Sequence, residues 1–251
     1  MHTLSTGRPL SRIALGGLLI AALAGIALLL SGPGYRLGWW EFRPAFSMMG
    51  GAAYAGLAGA GLSLIGAIIA RPGGSRRGFA LALCGIGIGL LVAALPWSWW
   101  QTVQSVPFIH DITTDLENPP VFVDVLPLRA DAPNTAEYGG PEIAAQQREG
   151  YPDLGPLTVS DPAQHAFERA VAAAQEMGWE IVVTVPAEGR LEATDTTFWF
   201  GFKDDVVVRV SPAENGSRID VRSVSRVGKS DVGTNAKRIM AYFAQIKHGG
   251  I

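Results

Sequence analysis

The residues best suited to chemistry cluster in two segments. The first is Arg222–Ala236, RSVSRVGKSDVGTNA. Arg222, Arg226, Lys229 and Arg238 supply positive charge there, and Gly228 and Gly233 permit tight turns. A helix beginning just after Asp231 would aim free backbone amides at an anion. An anionic ligand is the chemistry this pattern suits. The bland alternative is a loop whose Ser, Asp and Asn side chains satisfy its own backbone. Gly228-Lys229-Ser230 matches the end of a phosphate-binding loop, but Ser223 stands where the required earlier glycine would be, so that motif fails.

The second segment is His110-Asp111-Ile112-Thr113-Thr114-Asp115. A histidine beside two carboxylates could share a proton or contribute to a metal site. Nothing completes a metal site: no second histidine lies nearby, and H-E-x-x-H is absent. No metal and no cofactor is therefore expected. Glu192, Asp204 and Asp205 are a third possible acid–base set, although the last two read as a solvated turn. The serine-hydrolase elbow G-x-S-x-G is missing. Cys84, the only cysteine, falls in an apolar stretch and reads as a small buried residue.

Charge patterning shows what holds these segments. Seven Lys/Arg and one acid, Glu41, lie in residues 1–100, against thirteen Lys/Arg and twenty-one Asp/Glu in the remainder. The first part carries three uncharged apolar stretches, Ile13 to about Leu30, Ala45 to Ala70, and Gly78 to about Trp97. Each is near the ~20 residues a helix needs to cross a bilayer. Ser31-Gly32-Pro33-Gly34 is a poor cleavage site, so the first stretch reads as a span.

The Lys/Arg bias predicts a cytoplasmic N-terminus. Arg8, Arg12, Arg71, Arg76 and Arg77 then lie inside, with Arg36 and Arg43 outside. Three spans place the rest of the chain in the periplasm. Trp39, Trp40, Trp97, Trp99 and Trp100 would form an aromatic belt at that outer interface. Gly17, Ala21 and Gly25, like Gly51, Ala55 and Gly59, and Gly85 and Gly89, recur every fourth residue. Such spacing suits close helix packing within one chain or a homo-oligomer. No span carries an internal charge for transport or a proton relay.

The domain after residue 100 is net acidic, which argues against nucleic acid as a partner. Residues 101–160 read as a Pro-rich extended arm with one short helix near Glu142–Arg148. Residues 161–251 read as α-β-β-β-β-α. A helix capped by Asp161 and Gln164 comes first, with Ala163, Phe167, Ala170, Val171 and Ala174 on its apolar face. Four strands follow: one through Trp179–Val185, one from Arg190 to about Phe202, one through Val206–Val210 after a turn at Lys203-Asp204-Asp205, and one after the Asn215-Gly216 hairpin. The closing helix runs from about Asp231 to Lys247, with Ala236, Ile239, Met240, Phe243 and Ile246 inward. The expected fold is α+β: three transmembrane helices, then a four-stranded antiparallel meander with both helices on one face. The opposite face, with Glu180, Thr184, Glu192, Thr194, Arg209, Asp220 and Arg222, is either solvated or a binding surface.

Four stretches, Val106–Asp115 with Asn118-Pro119-Pro120, Arg190–Thr194, Phe198–Arg209 and Asp220–Ala236, are together similar to the domain of unknown function 1499 family. The similarity covers essentially the whole soluble domain. It implies no established activity, cofactor or catalytic residue, but it ties the His110 segment and the Arg222–Ala236 segment into one domain. The expected protein is a bacterial inner-membrane protein whose periplasmic domain binds an envelope ligand or a protein partner. The expected surface comprises His110, Asp111, Asp115, Arg222, Ser223, Arg226 and Asp231. The alternatives are a hydrolase or a lipid- or glycan-modifying enzyme using His110 with a carboxylate, and an oligomeric scaffold joined through the Gly-rich spans.

Overall fold

The computed structural model describes residues 8–248. The first seven and last three residues, which the expected anchor and domain include, lie outside them. The chain forms two compact units, Met1–Gln101 and Thr102–Ile251.

The first unit is built on three helices, α1 (Arg12–Arg36), α2 (Phe42–Ile69) and α3 (Phe79–Ser105), whose last four residues belong to the second unit. All three are long and apolar enough to cross a membrane. Each extends beyond its expected apolar stretch. Ser11 starts α1 by accepting from the Ala14 amide at 3.3 Å. The interior is made of small residues, among them Ala14, Gly17, Ala21, Ala52 and Ala67, while Leu19, Leu23, Leu57 and Leu91 point outward. That arrangement inverts a water-soluble bundle and suits a lipid solvent, where close backbone packing replaces hydrophobic burial between helices. A Cβ on Gly59 would sit 2.7 Å from the Ala21 amide nitrogen, so α1 and α2 approach as they do because no side chain stands there. The stripes are used inside the bundle at Gly17, Gly59, Gly85 and Gly89, whereas a Cβ on Gly51 would meet nothing.

The second unit is α+β and its sheet has six strands, not the expected four. They are β1 (Asp111–Thr113), β2 (Leu157–Val159), β3 (Glu180–Val185), β4 (Arg190–Thr196), β5 (Lys203–Ala213) and β6 (Gly216–Ser225). All pairings are antiparallel, in the order β1-β6-β5-β4-β3, and β2 also pairs with β6. The two extra strands come from the Pro-rich arm. β1 lies along Arg222–Val224 and β2 along Ser217–Ile219, so together they cover the edge of β6 that the meander would leave open. Prolines flank these three-residue strands without interrupting them, which is how pairing survives in such a segment. The arm also holds a 3₁₀ turn at Leu126–Arg129 and α4 (Gly140–Gly150).

The remaining helices, α5 (Ala163–Glu176) and α6 (Thr234–His248), cover one face of the sheet. Phe167, Ala170 and Ala174 of α5 and Ile239, Tyr242 and Ile246 of α6 meet Ile112, Leu191, Val206, Val208, Ile219 and Val221. Tyr242 stacks on Trp179 at 4.7 Å and donates its hydroxyl to the Ala170 carbonyl at 2.7 Å. Burial pushes that phenol far above its ordinary range.

Local expectations need correction in several places. Asp161 does not cap α5: Pro162 is the cap residue and no side chain serves it. Arg169, two turns along the helix, takes the Asp161 carboxylate, and Gln164 donates to Glu168. The strand from Arg190 stops at Thr196, because the Thr197–Phe202 segment closes into a turn. Lys203, Asp204 and Asp205 are not that turn but the first residues of β5. Met240 faces out at 52% exposure, and Tyr242 fills the core instead.

Candidate functional site

The face of the sheet opposite α5 and α6 holds most of the expected site, and the arm covers it. Phe122 and Val125 of the arm pack on Val207 and Val224. Beneath them the alternation of β4, β5 and β6 points Glu192, Thr194, Asp205, Asp220 and Arg222 toward the arm, and all five are buried. This face is neither solvated nor open at those positions; only its margin, with Glu180 and Thr184, is exposed.

Each buried charge there is paired, Asp220 by Arg209 at 3.1 Å and Arg218 at 2.9 Å. Arg222 donates from Nε and an Nη to the two oxygens of Asp111, at 2.9 and 2.7 Å. It also donates to the carbonyls of Pro120 and Ala136, and its guanidinium lies 5.3 Å from the Phe122 ring centre and 5.4 Å from that of Tyr138. Burial, then the Asp111 charge, pushes the Tyr138 phenol up to about 12. Glu192 accepts the amides of Val123 and Val125, both at 2.8 Å, and is paired with Arg190. Asp205 receives Arg129 at 3.1 Å, Arg226 at 2.9 and 2.8 Å, and the Thr194 hydroxyl at 2.8 Å. Such pairing is what makes carboxylates tolerable inside a strand.

Asp115 sits at the end of this layer. It caps its own turn through the amides of Glu117 and Asn118 and receives Arg209 and Arg218 at 3.0 and 2.9 Å. Burial works to raise its pKa, but the amides of Asn118 and Glu117 and the charges of Arg218 and Arg209 outweigh it, so the carboxyl titrates below its ordinary range.

A second polar group lies under α6. The Ser223 hydroxyl donates to Asn235 at 2.8 Å and accepts from Arg238 at 3.1 Å. Arg238 reaches Asp204 at 2.6 Å and Asp195 at 2.7 Å. Asp231 places its two oxygens on the amides of Gly233 and Asn235, at 2.9 and 2.7 Å, just where α6 begins. The anion at this helix N-terminus is thus the protein's own. Burial raises the Asp231 carboxyl above its ordinary value despite those two amides. Val232 beside it holds φ at +54°, a conformation that β-branched residues rarely adopt.

The seven expected residues therefore divide. Asp111 and Arg222 form one pair, and Arg226 belongs to the Asp205 cluster. Asp115 joins Arg209 and Arg218. Ser223 and Asp231 both serve the start of α6. His110 stands apart, its Nδ1 3.4 Å from the Lys229 carbonyl. Residues that the sequence did not mark complete the work. Gln147 of α4 accepts the Thr113 amide at 3.0 Å and donates to the Thr113 carbonyl at 2.6 Å, acting as a further strand partner for β1. Asn134 donates to the Ser225 and Gly228 carbonyls. Neither has a sequence signal, because a side-chain amide, on a helix as at Gln147 or in a loop as at Asn134, matches any unpaired backbone group. Among the described residues, no group of three His, Cys, Asp or Glu side chains could hold a metal ion.

A concave surface does exist elsewhere. A cleft of about 930 Å³ opens between α5, the turn joining β3 to β4 and the last residues of β5. Phe167, Val171, Val210, Pro186 and Pro212 give it apolar walls, and Gln164, Glu168 and Glu188 stand among its polar lining. It lies at the end of the sheet formed by Val185, Arg190 and Ala213, whereas β1 begins at the other end.

No curated protein matches the chain significantly. Residues 111–246, from the first residue of β1 into the last turn of α6, match the family model described as protein of unknown function (DUF1499), and the chain, more than half of it covered by that match, belongs to this family.

Proposed function

We propose that the protein is a membrane-tethered binding module of the bacterial envelope and that its domain takes an envelope ligand or a segment of a protein partner in the α5 cleft. The observation that carries this reading is the commitment of Asp111, Asp115, Asp205, Arg222, Arg226 and Asp231 to partners inside the fold. Groups tied this way hold the arm and α6 in place; a general acid or base must be able to reach substrate. The cleft, at about 930 Å³, is of the size that encloses a small ligand or a short chain segment, with mainly apolar walls and a few polar groups. The Lys/Arg bias of the spans supports an inner-membrane location with the N-terminus in the cytoplasm and the domain in the periplasm.

Native mass spectrometry of the full chain, released from bacterial membranes, tests the reading. A co-purifying species is expected, and Ala172→Trp, at an exposed position lining the cleft, should remove it. Wild-type protein that carries nothing, or a species indifferent to A172W, would overturn it. His110→Ala should leave the bound species in place.

A further inference from the structure

The two margins of the sheet are finished differently. At one, β1 is buried throughout, and Gln147 of α4 takes both the amide and the carbonyl of Thr113. At the other, β3 pairs with β4 alone. No residue of β3 is fully buried, and among the described residues no other backbone or side-chain group bonds to it. Every second residue of a strand turns its amide and carbonyl away from a given neighbour. The outer side of β3 therefore carries a row of unused donors and acceptors. Natural sheets blunt such an edge with charge, proline, bulges or cover. Here Glu180-Ile-Val-Val-Thr-Val185 holds one charge, Glu180, and no proline. The register shifts between Ile181 and Val183, and from there to Val185 it is regular.

The regular part borders the α5 cleft. Thr184, opposite Leu191, is exposed and lines the cleft together with Phe167, Val171 and Ala172 of α5. A chain laid along this edge would bond to β3 through its backbone and send alternate side chains into the cleft, beginning with the residue opposite Thr184. The residues between would stand with Val183 and Val185, both half-buried, on the other face.

The surroundings are acidic. Asp124, Glu188 and Glu192 converge on the single guanidinium of Arg190, the residue paired with Val185. The Asp124 and Glu188 side chains remain 43% and 59% exposed. Glu168 lines the cleft, and Glu180 is exposed at the far end of the strand. Arg209, the cation among the lining residues, is bound to Asp115 and Asp220.

Taking the cleft as the binding site proposed above, we infer that its occupant is an extended, cationic segment of a protein partner, added to β3 as a seventh strand of the sheet with alternate side chains in the cleft. Apolar residues of the segment meet the cleft walls, and its lysines or arginines meet Asp124 and Glu188. A second copy of this chain fits less well. Antiparallel pairing of two β3 strands sets Glu180 of each beside Val185 of the other, next to the carboxylates around Arg190, and like charges across a strand pair are destabilising.

A peptide of alternating lysine and valine, KVKVKVK, is the probe, offered to the full chain in nanodiscs of uncharged phosphatidylcholine. Fluorescence anisotropy should show binding that EVEVEVE lacks and that N-methylation of every KVKVKVK amide abolishes. Hydrogen exchange of the β3 amides should slow several-fold on binding, while that of β1 stays as it was. Glu168→Lys with Glu188→Lys, both at exposed positions, should weaken the peptide several-fold. Absence of KVKVKVK binding overturns the proposal, as does binding that leaves β3 exchange unchanged. So does equal binding of the acidic or the N-methylated peptide, or a double lysine variant that binds KVKVKVK as well as wild type. A free protein whose β3 is already protected in a dimer overturns it in favour of a second copy. The cleft itself is judged separately, by whether Ala172→Trp strips the co-purifying species.

Discussion

Arg222 holds Asp111 through two parallel hydrogen bonds, at 2.9 and 2.7 Å, with both side chains almost wholly buried. The pair ties β1, which opens the domain, to β6, its strand partner from near the other end of the domain. The same guanidinium holds two arm carbonyls and lies over two rings. It is a structural joint between strand edge and covering arm.

Asp111→Ala should destabilise the domain by about 3–5 kcal/mol, because it leaves a buried guanidinium without its counter-charge. The double variant Asp111→Leu, Arg222→Met should cost less than the sum of the two single changes. Denaturant unfolding of the full chain in nanodiscs, followed as a double-mutant cycle, measures both. Additive costs would show that the joint is not a coupled unit.

Glu192 tests how the arm is held. Its carboxylate takes the Val123 and Val125 amides, so Glu192→Ala should loosen the arm rather than the sheet, at a cost of about 1–3 kcal/mol. Hydrogen exchange should accelerate across residues 120–136 and stay slow in β5 and β6. Uniform acceleration would place Glu192 in the global core instead.

Two carboxyls give opposite pH signatures. Asp115 titrates below its ordinary value, so its stabilisation is full above the unfolded value near 3.8 and is lost as pH falls through the lower folded value. The deficit of Asp115→Asn should therefore be constant at neutral pH and close in strong acid. Asp231 titrates above its ordinary value, so its favourable contribution is full below 3.8 and is lost as pH rises through the raised folded value. Asp231→Asn keeps a capping oxygen and removes the buried charge; relative to wild type it should gain stability as pH rises from 3.8 through that window. Thermal unfolding of both variants across pH 2.5–7 (about the range where carboxyls titrate) decides the signs.

The bundle gives a steric test. Gly59→Val would drive a side chain into the α1 backbone, whereas Gly51→Val meets open space. G59V should separate α1 from α2 and abolish a disulfide cross-link engineered between them. G51V should leave that cross-link intact. If G51V instead changes the mass of the detergent-solubilised particle, that face joins copies of the chain.

Particular residues show how far the sequence reached. Twenty-odd apolar residues without charge specify a bilayer-length helix whatever they pack against, so the three spans were legible. The period of two carried by Val206, Val208 and Val210 and by Ile219-Asp220-Val221-Arg222 told inward from outward, because successive side chains of a strand point to opposite faces, and Asn215-Gly216 marked its hairpin from local turn chemistry. Six strands instead of four, the covered second face and the placement of Asp204 and Asp205 in β5 rest on partners far away in the chain: Val224 for Asp111, Arg129 and Arg226 for Asp205, Arg238 for Asp204. A carboxylate in a polar segment reads as solvated until a guanidinium from elsewhere is brought against it. The residues that looked chemical were visible from their types and spacing. That most of them spend that chemistry on one another was decided only in three dimensions, where burial makes an unpaired charge too costly to leave alone.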